Sequence, residues 1–221
     1  LSEYETATVN GSIEFRPNDN TEAVLAGGWN RGNFLVNQGL GPGVGSGNDY
    51  WAQARLKSGG FFGQISYNGN DGGSDSDPFF LYLTAQEIYT KRSALEGQFQ
   101  YNFEAKNFLD SNFTIGVDYR DIDLITNNTL IGQNEDNVDY ILYGYYGQGT
   151  SRFSDKLDLT YALRYDKLSY LDKGKVAPRI ALVYKANEKN SFRLSYNQAT
   201  FGPNTLLTYL DFPVPNLSPG V

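Results

Sequence analysis

Apolar and polar residues alternate with a period of two along many short segments of this chain. In residues 157–165, for example, leucines and tyrosines take every odd position, and polar or small residues take every even one. This period predicts β-strands whose two faces meet different surroundings. The pattern predicts about ten such strands, near residues 8–16, 23–29, 50–57, 61–68, 94–103, 113–120, 139–148, 157–166, 180–185 and 192–197. The faces of segment 139–148 do not separate, because tyrosines occupy both phases.

The connections between these strands alternate between short and long. Tight turns rich in Asn, Asp and Gly are predicted at 17–20, 58–60 and 187–190, and long loops at about 30–48 and through 71–77. Membrane barrels alternate in this way because one side of the membrane carries short turns and the other carries long loops. The sequence therefore predicts an all-β, antiparallel transmembrane β-barrel, with short periplasmic turns and long extracellular loops.

Aromatic residues of the apolar phase gather at the strand ends, with Leu, Ile, Val, Ala and Gly between them. The group at the short-turn end is Phe15, Phe61, Phe103, Phe113, Tyr184 and Phe192. The group at the long-loop end is Trp29, Tyr50, Tyr67, Tyr119, Tyr165 and Tyr196. Amphipathic rings prefer the membrane–water boundary. A soluble β-sandwich also alternates, but its core has no reason to sort rings in this way, so the membrane interpretation is favoured.

The composition of the chain removes several classes of function. No run of about eighteen apolar residues occurs, which excludes a transmembrane helix. The chain contains no His and no Cys, so it lacks the usual proton shuttle of barrel enzymes and any thiol nucleophile. We therefore expect no enzymatic activity. A net charge of −7 argues against nucleic acid as a partner, because nucleic acid attracts basic surfaces.

The predicted orientation starts the first strand and ends the last strand on the extracellular side. The Pro-rich residues 212–221 are unsuited to a central strand. Lipid does not tolerate an open sheet edge, where each unpaired backbone group costs several kcal/mol. We therefore expect residues 1–221 to be one partial barrel domain, an internal fragment of a larger barrel.

Two neighbouring segments resemble the mid-barrel hairpin of TonB-dependent outer-membrane receptors, in a form similar to those of Bacteroidetes. Residues 176–185 open on Pro-Arg and end on Tyr-Lys, and residues 191–204 contain Phe-Arg-Leu-Ser-Tyr-Asn with a Pro shortly after. These features are common in that family. Residues 116–120 and 163–166 also look like strands of the family.

The resemblance implies a barrel of about 22 strands filled by an N-terminal plug. Neither the plug nor the terminal strands are expected within residues 1–221. It also implies a receptor in the outer membrane of a Gram-negative bacterium, which imports a ferric siderophore, cobalamin, glycan or peptide by active transport. The implied partners are the TonB complex, reached through the plug, outer-membrane lipids and the substrate, with a surface lipoprotein as a further candidate. A passive porin-like channel and a structural or assembly barrel are the alternatives.

Substrate recognition is expected on the long loops and the outer rim of the lumen, where exposed rings and polar groups can contact a ligand. The candidates for substrate binding are Arg31, Phe34, Phe79, Phe80, Tyr82, Asn127, Asn128, Tyr170 and Phe201. The loop Asp71–Asp77 contains oxygen ligands of the kind that Ca²⁺ prefers, but its spacing does not match an EF-hand. We expect no cofactor, with calcium in this loop as the alternative.

Overall fold

The chain folds into one extended antiparallel sheet. A computed structural model describes residues 5–38, 41–73, 78–200, 202 and 208–211. The strands in this part of the chain are β1 (Thr6–Asn18), β2 (Thr21–Gln38), β3 (Gly41–Ser58), β4 (Phe61–Gly72), β5 (Phe79–Leu81), β6 (Gln86–Ile88), β7 (Thr90–Ala105), β8 (Ser111–Ile125), β9 (Tyr140–Ser154), β10 (Leu157–Leu168), β11 (Lys175–Asn187) and β12 (Asn190–Asn197). A 3₁₀ helix, Gly132–Asn137, lies between β8 and β9.

Ten of these strands pair with their neighbours in the order β1-β2-β3-β4-β7-β8-β9-β10-β11-β12. The sequence predicted about ten antiparallel strands, and these ten confirm it. The remaining two, β5 and β6, form a small hairpin that pairs with β3. Strands β1 and β12 form the two edges of the described sheet, which is an open arc of a barrel wall. Across the described residues, no helix has the length and apolar character needed to cross a membrane.

The register gives the wall one apolar and one polar face. Ile13 lies opposite Leu25, and Leu159 lies opposite Leu182, which in turn lies opposite Leu194. Ile13 is 73% exposed and Leu194 is 75% exposed. No other part of the described chain covers this face, as is expected of the side of a transmembrane barrel that faces lipid. Ile115, Val117 and Tyr161 share this face.

Asparagine side chains hold two of the short turns. Asn18 Oδ1 accepts a hydrogen bond of 3.0 Å from the backbone N–H of Asn20, and Asn187 Oδ1 accepts one of 3.0 Å from Lys189. In a third turn, Gly59 has a φ of +56°, a conformation in which glycine has no steric penalty. We call this end of the wall the short-turn rim and the opposite end the long-loop rim.

The prediction of a long loop at about residues 30–48 is wrong. Strands β2 and β3 continue through this region and stay paired from Asn30 opposite Asp49 to Gln38 opposite Gly41. The glycines that suggested a loop instead make room for a ring. A Cβ atom on Gly43 would lie 2.6 Å from the Phe79 ring, which β5 places against β3.

A small hydrophobic core lies between the long loops. It consists of the buried residues Phe79, Leu81, Ile88, Leu130, Ile131 and Val138, and we call it the loop core. Leu124 and Tyr209 pack against it. The segment after β12 therefore returns to the β8–β9 loop, where the backbone N–H of Asp211 donates to the Leu130 carbonyl at 3.3 Å. The long-loop rim is thus a packed structure built from three separate connections.

Candidate functional site

The inner face of the wall carries an ion-pair group that spans three strands. Arg164 on β10 contacts Asp118 on β8 at 2.5 Å and Asp166 at 2.7 Å. Between them on β9 lies Gly144, where a Cβ atom would collide with the Arg164 guanidinium. The glycine therefore lets the guanidinium reach across one strand to the next. This arrangement ties β8, β9 and β10 together on the lumen side.

Tyr146 settles the facing of β9, which the sequence left open. Its hydroxyl donates a hydrogen bond to Gln100 Oε1 at 3.0 Å and accepts one from Gln98 Nε2 at 3.4 Å. Tyr143 and Tyr145 lie on the lipid face of the same strand, in register with outward residues of β8. The Arg164 guanidinium stacks over the Tyr146 ring, 5.7 Å from its centroid. Tyrosines therefore lie on both faces of β9.

Further ion pairs neutralise much of the charge on the inner face. Glu96 pairs with Arg120 at 2.7 Å, and Asp158 pairs with Lys185 at 2.5 Å. Near the short-turn rim, Arg55 contacts Glu22 at 2.9 Å. No group of three or more Asp, Glu, His or Cys side chains suited to a metal ion occurs within the described residues. These side chains stabilise the wall and give it a polar lumen.

Replacing Arg164 with alanine is expected to lower the free energy of unfolding by about 2 kcal/mol, because Asp118 and Asp166 would be left close together without their cation. The control is Arg179→Ala, since Arg179 also lies on the inner face but forms no ion pair among the described residues. Chemical unfolding of the full-length protein in lipid vesicles measures both changes. Equal losses would contradict the role given to the ion pairs, and Asp118→Asn should restore part of the loss in the Arg164→Ala protein.

The β5–β6 hairpin contains three of the predicted binding residues, which differ in accessibility. Phe79 is only 9% exposed and belongs to the loop core. Phe80 is half-buried, and its ring meets the Tyr82 ring edge-on at 5.9 Å. Tyr82 is 54% exposed and Leu83 is 61% exposed. The hairpin thus presents Tyr82 and Leu83 to solvent and uses Phe79 as an anchor.

Asn127 and Asn128 form the turn after β8, with φ values of 49° and 60°. Asparagine tolerates this left-handed conformation better than most residues, so the turn itself accounts for both residue types. Both side chains are exposed. The turn leads directly into Leu130 and Ile131 of the loop core, and it therefore lies beside the part of the rim that the β5–β6 hairpin occupies.

Tyr170 lies in the turn after β10, where its ring packs edge-on against Tyr140 at 5.6 Å. Burial raises the pKa of Tyr170, and the neighbouring Tyr140 and Tyr209 add to this effect. The Tyr170 hydroxyl therefore stays protonated at physiological pH and able to donate a hydrogen bond. Through Tyr209, this tyrosine group adjoins the loop core.

The other predicted binding residues lie apart from this group or outside the described residues. Arg31 is in the outward phase of β2, opposite Asn48 and next to the aromatic girdle at the long-loop rim. Phe34 lies in β2 opposite Gly45, but its side chain is outside the described part, as is all of Phe201. Of the proposed calcium loop, only residues 71–73 are described, so calcium stays a prediction.

One inward residue escaped the sequence analysis as a candidate. Trp51 lies in the polar phase of β3, between the outward residues Tyr50 and Ala52. The signal that could have identified it is a large aromatic residue at a lumen position among Asn and Gln residues. Its neighbours come from three other parts of the chain and are identified only by the register.

Comparison with known proteins agrees with this architecture. The family model described as "TonB dependent receptor-like, beta-barrel" matches residues 3–219. A search of curated proteins found no match. Among solved structures, the alcaligin outer-membrane receptor FauA of Bordetella pertussis is similar, with a TM-score of 0.53 and 14% identity. FpvA of P. aeruginosa, solved with a pyoverdine–Fe complex, gives a TM-score of 0.50 and 14% identity.

Each of these two alignments covers 88% of this chain and 35% of the other protein, so the chain spans about a third of its structural neighbours. At this identity the two structures support the fold alone. The family match extends over nearly the whole sequence and agrees with the apolar outer face, the polar inner face and the antiparallel order of the wall. The chain belongs to the TonB-dependent receptor β-barrel family.

Proposed function

We propose that the full protein is an outer-membrane receptor that imports a scarce nutrient by active transport, driven by TonB. The observation that carries the proposal is the family match over residues 3–219. Members of this family are receptors and transporters rather than enzymes. The long-loop rim is then extracellular, and the short-turn rim is periplasmic.

The polar inner face supports a transport role. Its ion pairs make a hydrated wall around a lumen, while the outward side chains hold the wall in lipid. Active transport requires a gate in that lumen, and we place the gating plug and its TonB contact outside residues 1–221. The transported nutrient is a ferric siderophore, cobalamin, a glycan or a peptide. Alcaligin and the pyoverdine–Fe complex bound by the two structural neighbours represent one of these ligand classes.

The loop core supports a receptor over a simple pore. The rim packs three connections against one another, which holds exposed rings such as Tyr82 in a fixed position for contact with a ligand. A preformed rim lowers the entropic cost of binding a ligand. We propose that Phe80, Tyr82, Asn127, Asn128 and Tyr170 belong to the outer ligand surface. A surface lipoprotein that covers this rim is a further proposed partner.

Uptake of the limiting nutrient is expected to require TonB. Cells that carry the full receptor should grow on that nutrient with TonB present, and growth should cease when TonB is deleted or a protonophore collapses the proton gradient. A receptor-deletion strain provides the baseline, and antibody detection at the cell surface confirms equal receptor levels. Undiminished uptake without TonB would replace this proposal with the passive-channel alternative.

A further inference from the structure

Trp51 projects from the polar face of the wall near the long-loop rim. Along the barrel axis it lies level with the outward aromatic girdle, because Tyr50, the residue before it, pairs with Trp29 of that girdle. Trp51 itself pairs with Gly28 on one side and Asn68 on the other, both in the inward phase. The indole is 38% exposed. It therefore faces the lumen at the height of the outward aromatic girdle, below the paired extension of β2 and β3.

Gly28 allows the indole to lie across the neighbouring strand. A Cβ atom on Gly28 would lie 2.6 Å from Trp51 Nε1 and would also collide with the Asn10 side chain. The indole and the Asn10 amide thus meet over Gly28 from opposite strands. Larger residues at position 28 would separate them. The three strands β1, β2 and β3 therefore build one surface in which a ring and an amide lie side by side.

The surroundings of Trp51 are polar, with few charges. The side chains of Asn10 and Asn68 are exposed, and neither has a hydrogen-bond partner among the described residues. One register step towards the rim, Asn70 donates to Asp49 at 2.5 Å. On the same level, Arg92 of β7 lies opposite Asn70 and supplies one positive charge. The amides next to the ring are thus available to a ligand, and opposite charges balance nearby.

We propose that Trp51, Asn10 and Asn68 form a binding subsite for a neutral, polyhydroxylated ligand, namely a sugar ring of a glycan. The apolar C–H face of a pyranose matches the area of an indole. An amide offers both a donor and an acceptor, which suits a hydroxyl group that has both functions. A charged ligand gains little here, because the local charges cancel. The proposal deepens the proposed function, since it names the ligand class that the receptor imports.

Calorimetry on the full-length receptor in detergent tests the subsite. The probes are maltohexaose, cellohexaose, xylohexaose and mannohexaose, with ferrioxamine B as a ferric complex. We expect one of the oligosaccharides to bind, and Trp51→Ala to weaken that binding about tenfold, the order of magnitude of one good aromatic contact. Trp51→Phe should retain part of the affinity. Asn10→Ala and Asn68→Ala should each weaken binding by about threefold, as for one net hydrogen bond.

The matched control is Trp29→Ala. Trp29 is also 38% exposed and lies one residue from Gly28, but it faces lipid. Its loss should leave oligosaccharide affinity unchanged. Near-ultraviolet circular dichroism and heat-modifiable mobility confirm that each variant is folded. Because Asn10 and Asn68 are exposed, their alanine variants keep the test decisive if Trp51→Ala fails to fold.

Several outcomes would overturn the proposal. These are the absence of binding by all four oligosaccharides, equal binding by the wild type and by the Trp51 and Asn variants, and a Trp51-dependent affinity for ferrioxamine B. If Trp51 contacts a plug instead of a ligand, the wild type and the variants should bind the oligosaccharides equally, which is the second of these outcomes. The calorimetric assay needs neither TonB nor transport. Uptake that is independent of TonB, together with Trp51-dependent sugar binding, would therefore contradict the transport proposal and leave the subsite intact.

Discussion

Arginine in place of Ile115 is expected to lower the free energy of unfolding of the full-length protein by about 2–4 kcal/mol. Ile115 lies on the lipid face of β8, between Phe113 near one rim and Tyr119 near the other, and it is 53% exposed. A guanidinium at this depth must lose its water or distort the bilayer to keep it. The cost is largest near the bilayer midplane, where hydration is least accessible.

The control for this substitution is Gln148→Arg. Gln148 follows Gly147, which lies directly opposite Ile115, so the two positions share one depth. Gln148 faces the lumen, where water hydrates an arginine, and its replacement should cost little. Guanidinium-induced unfolding in phosphatidylcholine vesicles, followed by tryptophan fluorescence, measures both variants. Similar losses at the two positions, or a larger loss at Gln148, would contradict the assignment of the two faces.

Alanine in place of Ile131 is expected to destabilise the loop core by about 2–4 kcal/mol, because it leaves a cavity where a fully buried side chain had been. Ile131 has no exposed surface and packs with Phe79, Leu81 and Val138. The loops should then open locally while the membrane wall stays folded. As a result, the surface that includes Tyr82 should lose its fixed position, and ligand affinity should fall.

Hydrogen exchange followed by mass spectrometry measures this local effect. Peptides that cover β5, β6 and the 3₁₀ helix should exchange faster in Ile131→Ala, whereas peptides from β10 should be unchanged. The control is Leu83→Ala on the same hairpin, because Leu83 is 61% exposed and its truncation opens no cavity. Unchanged protection of β5 and β6 in Ile131→Ala would show that the loops do not depend on a shared core.

The strand pattern of the wall could be predicted from the sequence because each face meets one uniform environment. Alternation along β10, from Leu157 to Tyr165, reports lipid on one side and water on the other, and both signals are local. The ten wall strands follow from it, as do the outward residues of every wall strand except β9, where tyrosines occupy both phases. The aromatic residues at the strand ends also predict where the two membrane boundaries cross the wall, because such rings prefer the membrane–water boundary.

The long-loop rim was predicted less well. The glycines of residues 41–47 suggested a loop, since glycine lowers strand propensity. In the structure they lie in β3 and accommodate Phe79, which β5 brings from more than thirty residues along the chain. Phe79 was a candidate for ligand contact because aromatic residues in predicted loops are expected to be exposed. Its burial depends on Ile131 and Val138, which belong to another connection.

The sequence by itself determined where the ten wall strands lie and which face each residue takes on every strand except β9, whereas the tertiary structure decided which side chains meet across strands. Arg164 finds Asp118 because β9 carries Gly144 between them. Trp51 meets Asn10 over Gly28 for the same kind of reason. Periodicity depends on the solvent at each face, which every residue reports locally. Cross-strand contacts depend on the register between distant segments, and backbone hydrogen bonding and the turns set that register without leaving a mark at any single position.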